Sequence, residues 1–399
     1  MISLSSRSRV FVSGLSRPGT AGSGICLTHT TTFTAAVCLP AGRAANFEQP
    51  SRRWNSRSAR PAPARHADRK TAAMRVLLLV NDAASSVTAR TRVLIHTALN
   101  DRHDVALAST SRRGHAARLA RGAAADGTDV VVVLGGDGTL NEAANGLAGT
   151  RCALAALPGG STNVYARTIG TDDDPLAAAA AICDALDDDR IEAVGLGEAR
   201  AVPPDGRGRA GYAADDGGRL FLFHCGIGFD AAVVALVERW PRLKRYAAHP
   251  FYLAAATATW LRRRGRARPA AVHCGAAEPV ESHFTVVLNT DPYTYLGARP
   301  VSLAPGAGPH NGLSVVALRS LALRDGLRAA SAALRGGGDF ARLDDDVVHR
   351  VDDVSEATVR AAGTAFDYQI DGEYLGRAGE IRFTHHPRML PVVIPERRS

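Results

Sequence analysis

The chain has 399 residues and a formal net charge of +9. Residues 1–73 hold eleven basic and two acidic side chains, while from Met74 onward 37 basic residues balance 37 acidic ones, so the folded body is neutral. That excludes most of the case for a nucleic-acid-binding domain. The six scattered cysteines, with no CxxC pair, exclude the usual zinc spacings.

Residues 1–73 are rich in Ser, Arg, Ala, Thr and Pro and lack a sustained period, so they bury too little apolar area to offset their ordering entropy. They read as a disordered basic tail, of transit-peptide type or ahead of a translation start at Met74. No apolar run approaches the ~20 residues of a membrane span, and a reduced cytoplasmic setting is expected. The body is long enough for two domains.

From Met74 the chain alternates strand and helix. Strand-like Val76–Val80 leads to a helix over Thr88–Leu99, then strand-like Val105–Ser109 and a helix over Gly114–Ala125. The run Val130–Leu134 precedes a helix after Thr139. A strand around Leu154 precedes a helix opening near Asn163, and the alanine-rich helix Pro175–Leu186 leads out. This pattern predicts an α/β fold, a doubly wound nucleotide-binding domain over residues 74–200, with ligands beyond the carboxyl ends of its strands.

Residues 201–399 read as a mainly antiparallel β-sandwich. The expected strands are Leu220–Cys225, Phe284–Asn289, Leu313–Leu318, Val348–Val354, Phe366–Ile370, Glu380–Thr384 and Val392–Ile394, with a helical insertion from Ala231 to Arg264. The last residues are candidates for a return to the first domain. Asp371-Gly372 between apolar runs predicts a type I′ hairpin turn.

Two glycine-rich turns carry the chemistry: Gly135-Gly136-Asp137-Gly138-Thr139 and Pro158-Gly159-Gly160-Ser161-Thr162-Asn163. Each follows an apolar strand and opens a helix, so each presents backbone N–H groups at the positive end of a helix dipole. Two such turns on consecutive units point to a polyphosphate site. There is no GxxxxGK[ST] and no GxGxxG, so this is neither a P-loop nor a dinucleotide fingerprint. A carboxylate beside phosphates is repulsive unless it acts through Mg²⁺ or a hydroxyl. Asp137 therefore reads either as an aid to phosphoryl transfer or as a turn residue capping its own helix. Asn141 and Glu142, one turn into that helix, are placed to face the ligand.

At these residues the chain resembles the soluble bacterial lipid kinases with a diacylglycerol kinase catalytic domain, relatives of sphingosine and ceramide kinases. The resemblance runs from Met74 onward. It takes in Gly135–Thr139 with Leu140-Asn141-Glu142, the Gly159–Asn163 loop, Asn81 to Ser85, Thr110 with Gly114-His115-Ala116, Gly226 to Ala231, and Asp371-Gly372-Glu373. It implies an ATP site in a cleft between the two domains, with nucleotide contacts at Asn81, Ser85, Thr110, Gly135, Gly136, Asp137, Gly138, Thr139, Leu140, Asn141, Gly159, Gly160, Ser161 and Asn163. It implies Glu373 as general base, with Asp371 and Asp137 as further catalytic candidates. Departures are Asp82 for a usual proline, Ser161 for threonine and His224 for asparagine. Asn311, in Asn311-Gly312-Leu313, stands for an aspartate tied to a structural Mg²⁺, so Asn311 and Leu313 are weak metal candidates only.

The expectation is an ATP- and Mg²⁺-dependent kinase acting on a hydroxyl of diacylglycerol or a similar amphiphile, cytoplasmic and in peripheral contact with the inner face of the membrane. No nucleic-acid partner is expected, and the oligomeric state is open, a homodimer being one option. Alternatives are an NAD kinase-like enzyme and a non-catalytic lipid or nucleotide sensor. Residues 251–264, ending in three arginines, read equally as a membrane-touching edge or a core helix. His385-His386 lacks a partner at metal-ligand spacing.

Overall fold

The structure is a computed structural model that describes residues 73–395, apart from 83, 85, 86, 203–217, 239–268, 276 and 321. Ser85, the basic tail, the 251–264 edge and most of the expected helical insertion lie outside the described residues.

Strands β1 (Arg75–Val80), β2 (Asp104–Ser109), β3 (Val130–Gly135) and β4 (Ala153–Pro158) pair in parallel in the order β2-β1-β3-β4. β3 and β4 are buried at every position, as strands covered on both faces must be. Helices α1 (Ala89–Asn100) and α5 (Pro175–Asp187) cover one face, and α2 (His115–Ala125), α3 (Asp137–Leu147) and α4 (Val164–Thr168) the other. Local chemistry sets the helix starts. Thr88 Oγ1 accepts from Thr91 N at 3.0 Å ahead of α1, and Asp174 accepts from the first amides of α5, with Pro175 at its first position.

β5 (Ile191–Val202) leads out of this layer, followed by β6 (Arg219–Phe221), β7 (His224–Gly228) and α6 (Phe229–Glu238). Next come β8 (Ala270–Cys274), β9 (Val280–Ser282), β10 (Phe284–Leu288), the small pair β11 (Thr294–Leu296) and β12 (Arg299–Val301), and β13 (Leu313–Leu318). Helices α7 (Leu323–Arg335) and α8 (Gly337–Phe340) precede β14 (Val348–Val354), β15 (Glu356–Ala361), β16 (Phe366–Ile370), β17 (Glu373–Ala378) and β18 (Glu380–Val393).

Six of these strands form a separate antiparallel sheet in the order β14-β13-β10-β7-β16-β17. Its inner residues, among them Cys225, Ile227, Val287, Val315 and Ile370, share a core with Phe383, Ile381, Val359 and Val272 of the larger sheet. The two stretches expected near the end of the chain, Glu380–Thr384 and Val392–Ile394, are one strand. The first half of β18 lies between β5 and β15; after a register shift between His386 and Leu390, its second half pairs with β5 and, at Val392↔Leu154, in parallel with β4.

Two expectations change. The run Leu220–Cys225 is not one strand: Leu222 and Phe223 form a bend between β6 and β7 because their amides turn toward a buried carboxylate described below. α7 was not foreseen, because its apolar positions are mostly alanine; Ala329, Ala332 and Ala333 pack against Val286, Leu288 and Val316 on the outer face of the six-stranded sheet.

Candidate active site

Four neighbouring parallel strands end side by side, and their carboxyl ends carry the sequence-predicted residues. Asn81 follows β1 and donates its backbone N–H to Leu134 O at 3.0 Å; Thr110 follows β2 and donates to Val80 O at 2.8 Å. Gly135 ends β3 and Gly136 follows it, and Gly159 and Gly160 follow β4. The Asn81 amide Nδ2 donates to Thr139 Oγ1 at 2.8 Å, tying the first strand end to the first turn of α3.

The two glycine turns lie backbone against backbone. Gly159 N–H donates to Gly135 O at 3.0 Å. A Cβ on Gly159 would stand 2.7 Å from Gly135 N, and one on Gly160 would stand 2.8 Å from Gly136 Cα. Any side chain there meets backbone, which cannot swing away. Asn163, at φ +50, closes the second turn on itself: Oδ1 accepts from Gly160 N at 2.8 Å and Nδ2 donates to Gly160 O at 3.1 Å. Ser161 is exposed at the tip. Gly136, the cap residue of α3, has no side chain to offer that helix, and Gly138 in its first turn is exposed. The turn pair thus presents the positive end of an eleven-residue helix, the arrangement that suits an anion.

Three residues placed toward a ligand by sequence are held by protein groups instead. Asp137 caps a helix other than its own. Its Oδ2 accepts from Val164 N at 3.0 Å and its Oδ1 from Tyr165 N at 3.2 Å, so it caps α4 and binds the two turns together. Glu142 accepts from Gly114 N at 2.7 Å and Ala116 N at 3.1 Å, capping α2. Asn141 is 1 % exposed and Leu140 lies in the core beneath the turns.

Asn141 connects the parallel sheet's turns to the β16–β17 hairpin. Its Nδ2 donates to Asp371 Oδ2 at 2.7 Å and to Leu220 O at 2.9 Å, and its Oδ1 accepts from Arg219 Nη2 at 2.9 Å. Asp371 and Gly372, at φ +46 and +77, form the tight turn of that hairpin with Ile370 opposite Glu373, in keeping with a type I′ turn. The Asp371 carboxylate is 3 % exposed. It also accepts from Leu222 N (2.8 Å), Phe223 N (3.1 Å) and His224 N (3.0 Å). Burial pushes its pKa up to about 6, against the pull of those four donors. With both oxygens occupied it organises the bend between β6 and β7.

Glu373 stands one residue beyond that turn with its side chain 14 % exposed. Oε2 pairs with Arg219 Nη2 at 2.6 Å, and Oε1 with Arg113 Nη1 at 3.3 Å. Arg113 lies in the segment between β2 and α2, beside Gly114. Neither arginine was singled out in the sequence, because nothing local marks a contact between residues 219 and 373. His224 is 5 % exposed, with its ring 4.6 Å from that of Tyr293, and burial drops its pKa to about 3.

Asp137, Asp371 and Glu373 are each already engaged by protein N–H groups, and among the described residues no cluster of three or more His, Cys, Asp or Glu forms a cage. At the weak second candidate, Asn311 Nδ2 donates to Gly306 O at 2.9 Å and Leu313 is fully buried in the sandwich core.

Residues 75–197 match the diacylglycerol kinase catalytic domain family. Over 76 residues the chain is 41 % identical to a probable lipid kinase YegS-like protein of Cronobacter sakazakii, covering 18 % of this chain and 25 % of that protein. Over 64 residues it is 42 % identical to a diacylglycerol kinase of Bacillus subtilis, covering 16 % and 21 % respectively. The matches thus span about a quarter of the length of these curated relatives. The fold likeness is wider. A Bacillus anthracis crystal structure provisionally called a diacylglycerol kinase superposes with TM-score 0.59 at 20 % identity, covering 84 % of this chain and 98 % of that one. A second from the same organism, called a diacylglycerol kinase, gives 0.54 at 19 % identity, covering 80 % and 97 %. Arg219, Asp371 and Glu373 lie outside the family-matched span.

Proposed function

We propose that the chain is an ATP-dependent lipid kinase that transfers the γ-phosphoryl group to a hydroxyl of diacylglycerol or a similar amphiphile, working in peripheral contact with a membrane. The observation that carries this reading is the pair of abutting glycine turns, Gly135-Gly136 against Gly159-Gly160, at the start of a helix whose cap residue is a glycine. The family match over the same residues supports it.

In this reading the turn amides and the α3 dipole hold the nucleotide's phosphates. Glu373, joined to α3 through Arg219 and Asn141, accepts the proton of the acceptor hydroxyl. Asp371 holds the hairpin tip rather than taking a proton, because its four donors favour the bound carboxylate. Phosphoryl transfer asks mainly for positioning and charge stabilisation, which this arrangement offers.

The test is incubation with radiolabelled ATP and a panel of lipids in mixed micelles, with NAD as control acceptor. Label in a lipid is the expected result. Label in NAD alone overturns the reading in favour of an NAD kinase-like enzyme, and ATP binding without transfer favours a sensor. Glu373→Gln should cut turnover ~10²–10⁴-fold with ATP affinity unchanged; wild-type turnover in that variant removes Glu373 from the mechanism.

A further inference from the structure

β18 slips against β5 at one place. Leu196 of β5 faces His386 and Val194 faces Leu390, so three residues, Pro387, Arg388 and Met389, stand opposite the single Gly195. Pro387 has no N–H to give a ladder. Arg388 takes a left-handed backbone, φ +51, which arginine rarely adopts. Gly195 bonds elsewhere: its N–H donates to Pro309 O at 2.6 Å, and its carbonyl accepts from Asn289 Nδ2 at 2.9 Å. A Cβ on Gly195 would collide with His385 Nε2, so the imidazole lies directly against this glycine.

The bulge and the Pro309-His310 turn border a cavity of about 490 Å³. That volume is in the range of small-molecule sites and far above the ~30 Å³ share of one water. Ala193, Pro309 and Pro387 supply apolar wall. The carboxylates at hand are already engaged. Glu192 Oε2 stands 3.0 Å from His310 Nε2, and Asp353, whose charge acts on His385, accepts from Gly312 N–H at 2.7 Å. The Arg388 and His385 side chains, which also line the cavity, have no hydrogen-bond or ion-pair partner among the described residues, and His385 Nε2 is buried.

A cavity whose unpaired groups are a guanidinium and an imidazole selects an anion, and the planar guanidinium fork matches two oxygens of a phosphate. We propose that this cavity binds a small phosphate monoester, with Arg388 and His385 on the phosphate and the organic part against Ala193, Pro309 and Pro387. The site is separate from the glycine turns. Met389, next to Arg388, accepts from Gly149 N–H at 2.8 Å in the connection ahead of β4, whereas Gly159 follows the far end of that strand. Six residues of strand put the two places on the order of 20 Å apart. The proposal therefore does not depend on the kinase reading. A ligand here braces β18 where it passes from β15 of the sandwich to β4 of the parallel layer.

The experiment titrates the full-length protein with glycerol 3-phosphate in a calorimeter, with and without a saturating non-hydrolysable ATP analogue. Flotation with phosphatidylcholine vesicles, plain or containing phosphatidic acid, asks whether a lipid headgroup can supply the phosphate. Arg388→Gly removes the guanidinium and suits the positive φ, so its melting temperature should hold or rise. Glycerol 3-phosphate should bind the wild type saturably, indifferent to the ATP analogue, and about tenfold or more weaker in Arg388→Gly and in His385→Ala. Should Arg388→Gly melt early, His385→Ala, whose ring has no hydrogen bond to lose, decides by the same read-out. Binding seen only with phosphatidic acid vesicles, and lost in these variants, upholds the site with a lipid headgroup as its ligand. No binding in either format overturns the proposal, as does binding that both variants retain or that the ATP analogue displaces.

Discussion

Asn141 donates to Asp371 at 2.7 Å, joining the helix behind the first glycine turn to the hairpin that carries Glu373. The bond spans 230 positions of sequence. It fixes where the proposed base stands relative to the proposed phosphate site. Asn141→Ala leaves the Leu220 carbonyl, the Arg219 guanidinium and one Asp371 oxygen each short of a partner. Each keeps another partner, Asn145 Nδ2, Glu373 or the Leu222 amide, so urea denaturation should show a loss of about 1–3 kcal/mol rather than the sum of three orphaned groups, with turnover reduced. A midpoint indistinguishable from wild type would show that the bridge contributes nothing.

Asp137→Asn separates capping from catalysis. Sequence reasoning expects collapsed turnover at an unchanged melting temperature, but the carboxylate accepts from both Val164 N and Tyr165 N. An amide offers only one acceptor oxygen and turns its NH₂ toward the other N–H. Loss of a helix cap costs about 0.5–2 kcal/mol. The melting temperature should therefore fall measurably, together with turnover. Activity lost without any change in melting would restore a purely chemical role.

Glycine has different jobs within one motif, and two variants distinguish them. Gly159→Ala places a methyl 2.7 Å from Gly135 N and must push the turns apart. Overpacking of this kind costs ~1–3 kcal/mol, and nucleotide binding should go with it. Gly138→Ala meets nothing within 4 Å and sits inside α3. Its stability should hold or rise by up to about 1 kcal/mol, while its methyl intrudes on the ligand side and weakens ATP binding. Equal melting temperatures for the two variants would refute the backbone-on-backbone packing.

The pH dependence of stability contains two opposed buried groups. His224 has its pKa lowered to about 3 by burial, so in acid the unfolded chain binds the proton first, and stability falls as pH drops below the unfolded value of ~6.5. Asp371 has its pKa raised to about 6. The folded state binds that proton first, and stability rises as pH drops from ~6 toward ~4. Between pH 7.5 and 5 the two largely cancel. His224→Asn removes the destabilising half, so its stability should move relative to wild type by about 2 kcal/mol in its favour on going from pH 7.5 to 5. Parallel pH profiles for the two proteins would show that His224 is not buried in its neutral form.

What the sequence shows best is what the chain does within a few residues of itself. The glycine turns announce strand ends because only there do apolar runs meet Gly-Gly; Asp371-Gly372 announces its turn because two positive-φ residues are needed; Asp174-Pro175 announces a helix start. Contacts between distant residues leave no such mark. Arg219 looks like any strand arginine until Asn141 and Glu373 flank it. Glu142 looks like a ligand-facing acid until Gly114 and Ala116 are seen to donate to it. The bend at Leu222-Phe223 reads as continuous strand because its cause, Asp371, lies on another hairpin. The α/β layer was therefore legible, and the wiring of the site was not.

β18 has a consequence for how the protein is made. Its second half lies between β4 and β5, pairing Val392 with Leu154 and Val393 with Ile191, and Leu390, Val392 and Val393 are fully buried in the parallel layer. The parallel layer that carries the glycine turns therefore stays open on one flank until the sandwich strands have all been synthesised. Pairings this far apart in the chain are slow to close, and an unpaired flank on a buried parallel sheet is a place where another chain can dock. On the ribosome, the emerging β1–β4 layer is a candidate for chaperone protection until β18 arrives, and a nascent chain stopped ahead of Leu390 should be captured by a holdase where the completed chain is not.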